Sequence, residues 1–484
     1  MKPFKLFLLP ILIVAFVVQI AAQDSFDSAA FDKFVQEQME KDKIPGLSIG
    51  YSYKGKTWVK GYGFADIENR SPALAQTMYR MASVNKPMTA AAILLLADRG
   101  KLNLDDEVQK YVPYFPKKNF PVTIRQLLSH TGGISHYKNY EVEGRIKEKK
   151  TTREAIAIFE EFDLVAEPGT RASYSSYGYN LLGAVIEGAS GEPYSKFMTE
   201  NVWLPLGMNA TRMDDAVEII PFRTRGYQLL EGEIKNSDYV DISSRFAAGG
   251  IRSNVLDMLK FGDAIANRKL LSPNSINLMY NPATTKDGKF VAYSAGWNTT
   301  PINGHFTISH SGGQPETATH LFVFPKVGIV IAVAANREGA PRVPFASKLF
   351  EMVTSEKWKA SAPVDDAKKS PREVISQMLF DYGRAAYEKS NGAFTTNAEV
   401  VSQAFLAINR VLANKEASPE DIDLLRHPAG NEAIQTAGSF IAAQLSKAGY
   451  NLKSYSAENE KFVADYLELS KRKGAQFKQY QLDF

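Results

Sequence analysis

Tyr79-Arg80-Met81-Ala82-Ser83-Val84-Asn85-Lys86 is the stretch on which the reading of this chain turns. Ser83 stands where a run from Val84 to Asp98 takes on helical composition, with Ala90–Ala97 wholly apolar and Gly100 as its stop. A helix that is apolar all round is a buried one. Lys86 follows Ser83 by three residues, a spacing that puts both side chains on one face of the first turn. A serine hydroxyl is a poor nucleophile until a base takes its proton. A lysine is such a base only when burial or neighbouring positive charge lowers its pKa. The start of a helix adds free backbone N–H groups and a partial positive charge, which suit a developing oxyanion. Taken alone, Ser-x-x-Lys also describes a serine cap followed by an incidental lysine, so its meaning depends on its company.

Two further pieces supply that company. Pro168-Gly169-Thr170-Arg171-Ala172-Ser173-Tyr174-Ser175-Ser176 puts a turn, a tyrosine and small hydroxyls directly before a helix, Tyr177–Ala189, that Gly191 stops. Ile308-Ser309-His310-Ser311-Gly312-Gly313 puts a basic residue, a hydroxyl and two glycines at a strand edge, where the glycines let a ligand approach the backbone.

In this order and spacing the three pieces resemble the motifs of the serine β-lactamase and penicillin-binding protein superfamily: Ser-x-x-Lys, Tyr-x-Asn and Lys-Thr-Gly, the last often with His for Lys. The likeness is to its class C β-lactamase and D-alanyl-D-alanine carboxypeptidase branch. Supporting segments resemble it too: Gly100–Asp106, Thr123–Gly133 ending Leu-Leu-Ser-His-Thr-Gly-Gly, Ala248-Gly249-Gly250, and Gly296-Trp297. The resemblance spans Phe31 to Val353. It implies that Ser83 is the acylated nucleophile, Lys86 its proton acceptor and Tyr174 the relay between nucleophile and leaving group. It places His310 at the third-motif base position, near the Tyr174 oxygen or a substrate carboxylate, with Ser311 and Gly312 beside it. The backbone N–H groups of Ser83 and Gly313 would form an oxyanion hole, a device worth about 3–4 kcal/mol per donor. Where the family has Asn this chain has Ser176, a shorter hydroxyl in place of an amide that both donates and accepts. That change bears on placing an amide-bearing substrate more than on acyl transfer itself.

Around these motifs the chain alternates helices and strands. Phe26–Lys41 reads as a helix. Leu47–Tyr53 and Lys56–Gly63 flank Lys54-Gly55 as a hairpin, and Phe306–His310, Thr319–Phe324 and Gly328–Ala335 read as strands. Strands at both ends of one segment with helices between them predict an α+β fold: an antiparallel sheet flanked by helices, with a mostly helical subdomain inserted. Thr151-Thr152-Arg153-Glu154 has the capping-box pattern of a helix start, and the charge run Arg145–Lys150 reads as a solvated helix face. Ser355–Pro371 has linker composition. Beyond it Arg372–Lys389, Ala398–Lys415 and Asn431–Lys447 have helical spacing. The expected division is 1–22, 23–354 as the hydrolase-like domain, 355–371 as linker and 372–484 as an all-α unit. No partner for those last helices is legible.

The 484 residues are 44% hydrophobic and 23% charged, an ordinary globular composition. The absence of cysteine excludes disulfides, thiolate metal sites and a cysteine nucleophile. Lys2 and Lys5, the apolar run Leu6–Val18 and the small-residue end at Ala21-Ala22 have the layout of a secretory signal peptide, so a secreted or periplasmic protein is expected. An uncleaved anchor is the alternative, but the run is shorter than the ~20 residues a span needs. Losing those two lysines takes the formal charge from +4 to +2, which gives no reason to expect a nucleic-acid partner. Gly46-Leu47-Ser48-Ile49-Gly50 matches a nucleophile-elbow pattern, but it lies within an alternating strand rather than at a strand-to-helix turn. The six histidines form no metal-binding spacing, so neither metal nor cofactor is expected. His130 reads as structural. The expected function is acyl transfer from an amide or ester (a D-amino-acid peptide, a β-lactam or a small ester) to Ser83 and then to water. The alternative is a non-catalytic protein that keeps the pocket and binds peptidoglycan fragments, favoured only by the change at Ser176.

Overall fold

A computed structural model describes residues 26–287, 290–302 and 305–358, and, of the region beyond 374, chiefly 428–452 and 459–473. The chain opens with helix α1 (Ser28–Lys41), whose first turn is capped by the Asp27 carboxylate accepting the Ala30 N–H at 3.0 Å. Strands β1 (Gly46–Tyr53) and β2 (Lys56–Asp66) follow. Lys54 and Gly55 between them have φ of 50° and 78°, the pair of left-handed residues whose twist suits a two-residue hairpin. β3 (Ser71–Pro72) is a short edge strand. The middle of the chain supplies α2 (Asn85–Asp98), α3 (Ser176–Ser190), the single turn α4 (Phe246–Gly249) and α5 (Val255–Ala266). Five strands follow: β4 (Tyr293–Ser294), β5 (Trp297–Asn298), β6 (Ile308–Gln314), β7 (Thr317–Phe324) and β8 (Ile329–Ala335). Then come α6 (Val343–Thr354), α7 (Pro428–Lys447) and α8 (Asn459–Lys473).

The eight strands form one antiparallel sheet in the order β4-β5-β6-β7-β8-β1-β2-β3. β1 therefore pairs with β8 across nearly the whole domain, from Leu47 opposite Ala335 to Tyr53 opposite Ile329. β8, Ile-Val-Ile-Ala-Val-Ala-Ala, is buried at every position because both faces of the sheet are covered. On one face α1 and α6 bury Phe31, Val35, Phe345 and Leu349. On the other the inserted helices form the largest core, with α2 at its centre and 12 of the 14 α2 residues buried. Truncating Ile93 or Leu94 there would cost about 2–5 kcal/mol, as for other fully buried aliphatic side chains. A third apolar cluster, including Leu379, Phe405, Ile441, Phe462 and Tyr466, is made entirely by residues beyond 374.

Two local expectations change. α2 starts at Asn85, and Ala82–Val84 form a separate 3-10 turn before it. The reason is Ala82, whose φ of 47° breaks any continuous helix at that point. The charge run Arg145–Lys150 is not helical. It follows Gly144 as an irregular segment pinned by ion pairs, Arg145 to Asp238 at 3.1 Å and Lys149 to Asp215 at 2.6 Å. The capping box at Thr151 and Glu154 forms as read, and α3 ends at Gly191 with φ 76°. Ser355 to Trp358 still belong to the front fold, since the Trp358 ring packs edge-on against Phe322 at 5.2 Å and Phe350 at 5.5 Å. The proposed leader 1–22, linker residues 359–371 and most of the stretches Arg372–Lys389 and Ala398–Lys415 lie outside the described residues. Among the described residues no helix is long and apolar enough to cross a membrane.

Candidate active site

Ser83 sits in the 3-10 turn where the helical core meets β6 and β7. Thr317 Oγ1 donates to the Arg80 carbonyl at 2.9 Å and Thr319 Oγ1 to the Met81 carbonyl at 2.7 Å, so two side chains of β7 hold the chain entering the turn. β6 presses on the same turn. A Cβ at Gly312 would lie 2.5 Å from the Met81 carbonyl oxygen and 2.3 Å from Thr319 Oγ1, which is why only glycine fits there. The left-handed Ala82 directly before Ser83 is a strained position for a residue with a Cβ, and this clamp sustains it.

Lys86 extends from the first turn of α2, fully buried, and its Nζ meets three oxygens. These are Ser83 Oγ at 2.8 Å, Ser176 Oγ at 3.2 Å and the Ala248 carbonyl at 3.1 Å. An ammonium satisfies all three with its three N–H bonds. A neutral amine satisfies them equally well. Two N–H bonds go to Ala248 and Ser176, and the lone pair accepts the Ser83 hydroxyl proton. Burial, and after it the Arg245 guanidinium, push the lysine well below its ordinary pKa of 10.5, toward the amine. The Ala248 carbonyl is available because α4 is one turn long and leaves its four carbonyls without helical partners. Side chains take them in sequence. Asn85 Nδ2 donates to Phe246 at 3.0 Å, Thr89 Oγ1 to Ala247 at 2.7 Å, Lys86 to Ala248, and Gln314 Nε2 to Gly249 at 3.2 Å. α3 lies close against α4 because Gly183 has no Cβ, which would fall 2.4 Å from that of Ala247.

Tyr174 reaches over from the loop before α3 and its hydroxyl donates to Ser83 Oγ at 2.9 Å. Desolvation raises its pKa above the usual phenol value, so it stays a protonated donor. His130 fixes this loop. Its Nδ1 accepts the Ser175 N–H at 3.1 Å, and its ring lies 4.4 Å from both Tyr174 and Tyr293. His136 Nδ1 likewise accepts the Ser176 N–H at 3.2 Å.

His310 does not meet the Tyr174 oxygen. Its Nδ1 lies 2.6 Å from the Ser311 carbonyl and must donate to it, so Nε2 is the acceptor for the Tyr293 hydroxyl at 3.0 Å. Burial, with Lys86 nearby, lowers its pKa to about 3, so the imidazole is neutral and has no charge to offer a substrate carboxylate. Ser311 and Gly313 lie on the exposed side of β6, and Gly312 faces the Ser83 turn. Nothing lies within 4 Å of a Cβ built at Gly313, so that stretch of backbone is open to a ligand. Ser48 lies mid-strand in β1 and bonds Tyr79 OH and the Leu74 carbonyl, each at 2.8 Å. Among the described residues no cluster of acidic and imidazole side chains is arranged to hold a metal ion.

Sequence reasoning missed Tyr293, Arg245 and Gln314. Only Gly296-Trp297, three residues beyond Tyr293, hinted at the first, and a lone arginine or glutamine reads as surface. Arg245 is buried, with Nη1 donating to Gln314 Oε1 at 3.2 Å and Nη2 to the Gly144 carbonyl.

Residues 31–349 match the Beta-lactamase family. The chain belongs to that family. The human mitochondrial serine beta-lactamase-like protein LACTB is 30% identical over 410 residues, spanning 62% of this chain and 75% of that protein. Penicillin-binding protein 4* of Bacillus subtilis (strain 168) is 29% identical over 316 residues, 62% of this chain and 69% of that protein. The octameric penicillin-binding protein homologue from Pyrococcus abyssi superposes with a TM-score of 0.60 at 28% identity, covering 73% of this chain and 82% of that one. The α+β architecture is thus the one this Beta-lactamase family member shares with penicillin-binding protein homologues.

Proposed function

We propose that this Beta-lactamase family protein is a serine hydrolase that works through an acyl-enzyme on an amide or ester. The observation that carries the reading is the meeting of two groups at one oxygen: Lys86 Nζ at 2.8 Å and Tyr174 OH at 2.9 Å from Ser83 Oγ. Ser83 Oγ attacks the substrate carbonyl carbon while its proton passes to the neutral Lys86 amine. The carbonyl π electrons move onto oxygen, where the N–H groups of Ser83 and Gly313 receive the charge. On collapse the bond to the leaving group breaks, and the proton returns from Lys86 through the Tyr174 hydroxyl to the departing oxygen or nitrogen. Water then attacks the acyl carbon, gives a proton to the same base, and Ser83 Oγ leaves reprotonated. Kinship with a penicillin-binding protein supports an amide or β-lactam acyl donor. The absence of a charged third-motif side chain favours donors without a carboxylate beside the scissile bond.

The test is a fluorophosphonate probe followed by peptide mapping. A single adduct on Ser83, abolished in Ser83→Ala, is expected. Folded protein that takes no adduct, or takes it at Ser48, would refute the reading and favour a binding-only protein. We further propose export, because Lys2, Lys5 and Leu6–Val18 have the layout of a secretion signal. Cell fractionation with N-terminal sequencing should find the mature chain outside the cytoplasm, starting at Gln23.

A further inference from the structure

Lys86 and Arg245 are two buried cations packed on the same short helix, and among the described residues no carboxylate lies within ion-pairing distance of either. Arg245 immediately precedes α4, whose Ala248 carbonyl receives Lys86 and whose Gly249 carbonyl receives Gln314, the residue that also accepts from Arg245. Two other buried arginines of the hydrolase-like domain are neutralised, whereas Arg337, like Arg245, has no ion pair among the described residues and donates to a backbone carbonyl. Arg80 and Arg252 both grip Asp214, at 2.8 Å and 2.6 Å, with Glu316 beside them. Arg245 instead meets only neutral groups, the Gln314 and Gly144 oxygens, the Tyr140 hydroxyl and the Tyr137 ring at 5.7 Å, and leaves Nε buried without a partner. An uncompensated buried guanidinium is costly, and its field acts on any titratable group packed beside it.

The groups that face Lys86 narrow the choice. From α3 and the loop before it come Tyr174, with its ring centre 4.8 Å away, Ser176, and Tyr179 at 5.8 Å. His130 and His136 approach from the loop that follows the short helix Ile124–Leu128, and His310 from β6. Burial holds the last two imidazoles at about 4 and about 3, and His130 well below its ordinary value, so all three are neutral near pH 7. Glu143, the carboxylate on this side, is committed to the Tyr177 hydroxyl at 2.5 Å and to the backbone N–H groups of Lys138 and Asn139. Arg245 is therefore the one permanent charge facing the lysine among the described groups.

We infer that Arg245 is a positioning residue whose uncompensated charge, held in place by Gln314 and Gly144, keeps Lys86 in the neutral form that can accept the Ser83 proton. The inference rests on the proposed role of Lys86 as base. Burial already disfavours the ammonium, and the Arg245 charge adds to that effect.

The experiment is the rate of Ser83 modification by a fluorophosphonate as a function of pH in three proteins: wild type, Arg245→Gln and Arg245→Lys. Gln removes the charge but keeps an amide to donate. Its acid-limb midpoint should rise by about one pH unit or more, slowing the reaction roughly tenfold at pH 7 and much less at pH 10. Lys restores the charge and should bring the midpoint back to within about 0.3 units of wild type. A Gln variant with the wild-type midpoint, or one slowed equally at every pH, would show a purely structural role. If Arg245→Gln does not fold, Arg245→Lys decides: an unmoved midpoint supports the inference and an upward shift overturns it. Wild type that never labels Ser83 overturns the hydrolase reading itself, whereas labelling with no Arg245 dependence overturns only this inference.

Discussion

Lys86 has the same three oxygen partners whether it is an amine or an ammonium, so a proton can move onto it without rearranging its surroundings. Ser176 is one of those partners, and its hydroxyl does reach the lysine where the family's amide would stand. What the shorter side chain gives up is reach toward a substrate. An orienting hydrogen bond of that kind is worth about 1–3 kcal/mol, roughly 5- to 150-fold in rate. Ser176→Asn should therefore raise acylation by a β-lactam more than turnover of a p-nitrophenyl ester, whose leaving group departs with little help. Comparing kcat/KM for both substrates in both proteins checks this. An equal change, or a fall for the β-lactam alone, would remove Ser176 from substrate preference.

At the scale of elements, the position of Ser83 depends on how closely β6 approaches the 82–84 turn. Gly312 faces that turn and Gly313 faces open space, although the two are neighbours in one strand. Gly312→Ala must push the strand away from Met81 and Thr319, so it should cost about 1–3 kcal/mol of stability and slow Ser83 labelling. Gly313→Ala should change stability by less than about 0.5 kcal/mol. Thermal unfolding of the two variants separates these outcomes. Equal losses would mean that strand propensity, rather than the contact with the turn, sets the requirement.

For the whole molecule, buried neutral imidazoles make stability depend on pH. His130 and His310 hold their pKa values far below the ordinary 6.5 in the folded protein. Unfolding frees them to bind protons once the pH is under 6.5, so the unfolded state holds more protons there and stability falls with falling pH. Each group contributes a slope of up to about 1.4 kcal/mol per pH unit, from 6.5 down to its folded value. Asp214, held at about 2 by Arg252 and Arg80, adds a loss below its unfolded value near 4. Melting temperature should thus fall most steeply below pH 6.5, where these groups add to the single slope that the neutral Lys86 contributes up to its unfolded value near 10.5, and His310→Phe should flatten the upper part of that steep drop. A profile level down to pH 4 would contradict the buried neutral state. The separate apolar cluster beyond residue 374 leads to a second expectation at this scale. Limited proteolysis should cut between 359 and 371, and the 23–358 fragment should still label at Ser83. A folded fragment that has lost all labelling would mean that the C-terminal helices complete the site.

The pairing of Ser83 with Lys86 was legible in the sequence because the period of a helical turn alone sets it, and the hairpin was legible because Lys54-Gly55 demands a left-handed turn. The apolar run of α2 likewise announced its own burial. Tyr174 and Ser176 were legible only through the motif they stand in, since 91 and 90 residues separate them from the side chains they touch. The tertiary structure alone decided the rest. His310 meets Tyr293 because β4, β5 and β6 are consecutive strands at one end of the sheet. Arg245 comes to lie beside Lys86 because α2 and β6 both send side chains to the carbonyls of α4. Such contacts arise from how whole elements pack, and no spacing within a segment encodes them. A residue's charge is written in the sequence, but whether that charge is compensated depends on neighbours that only the folded chain brings near.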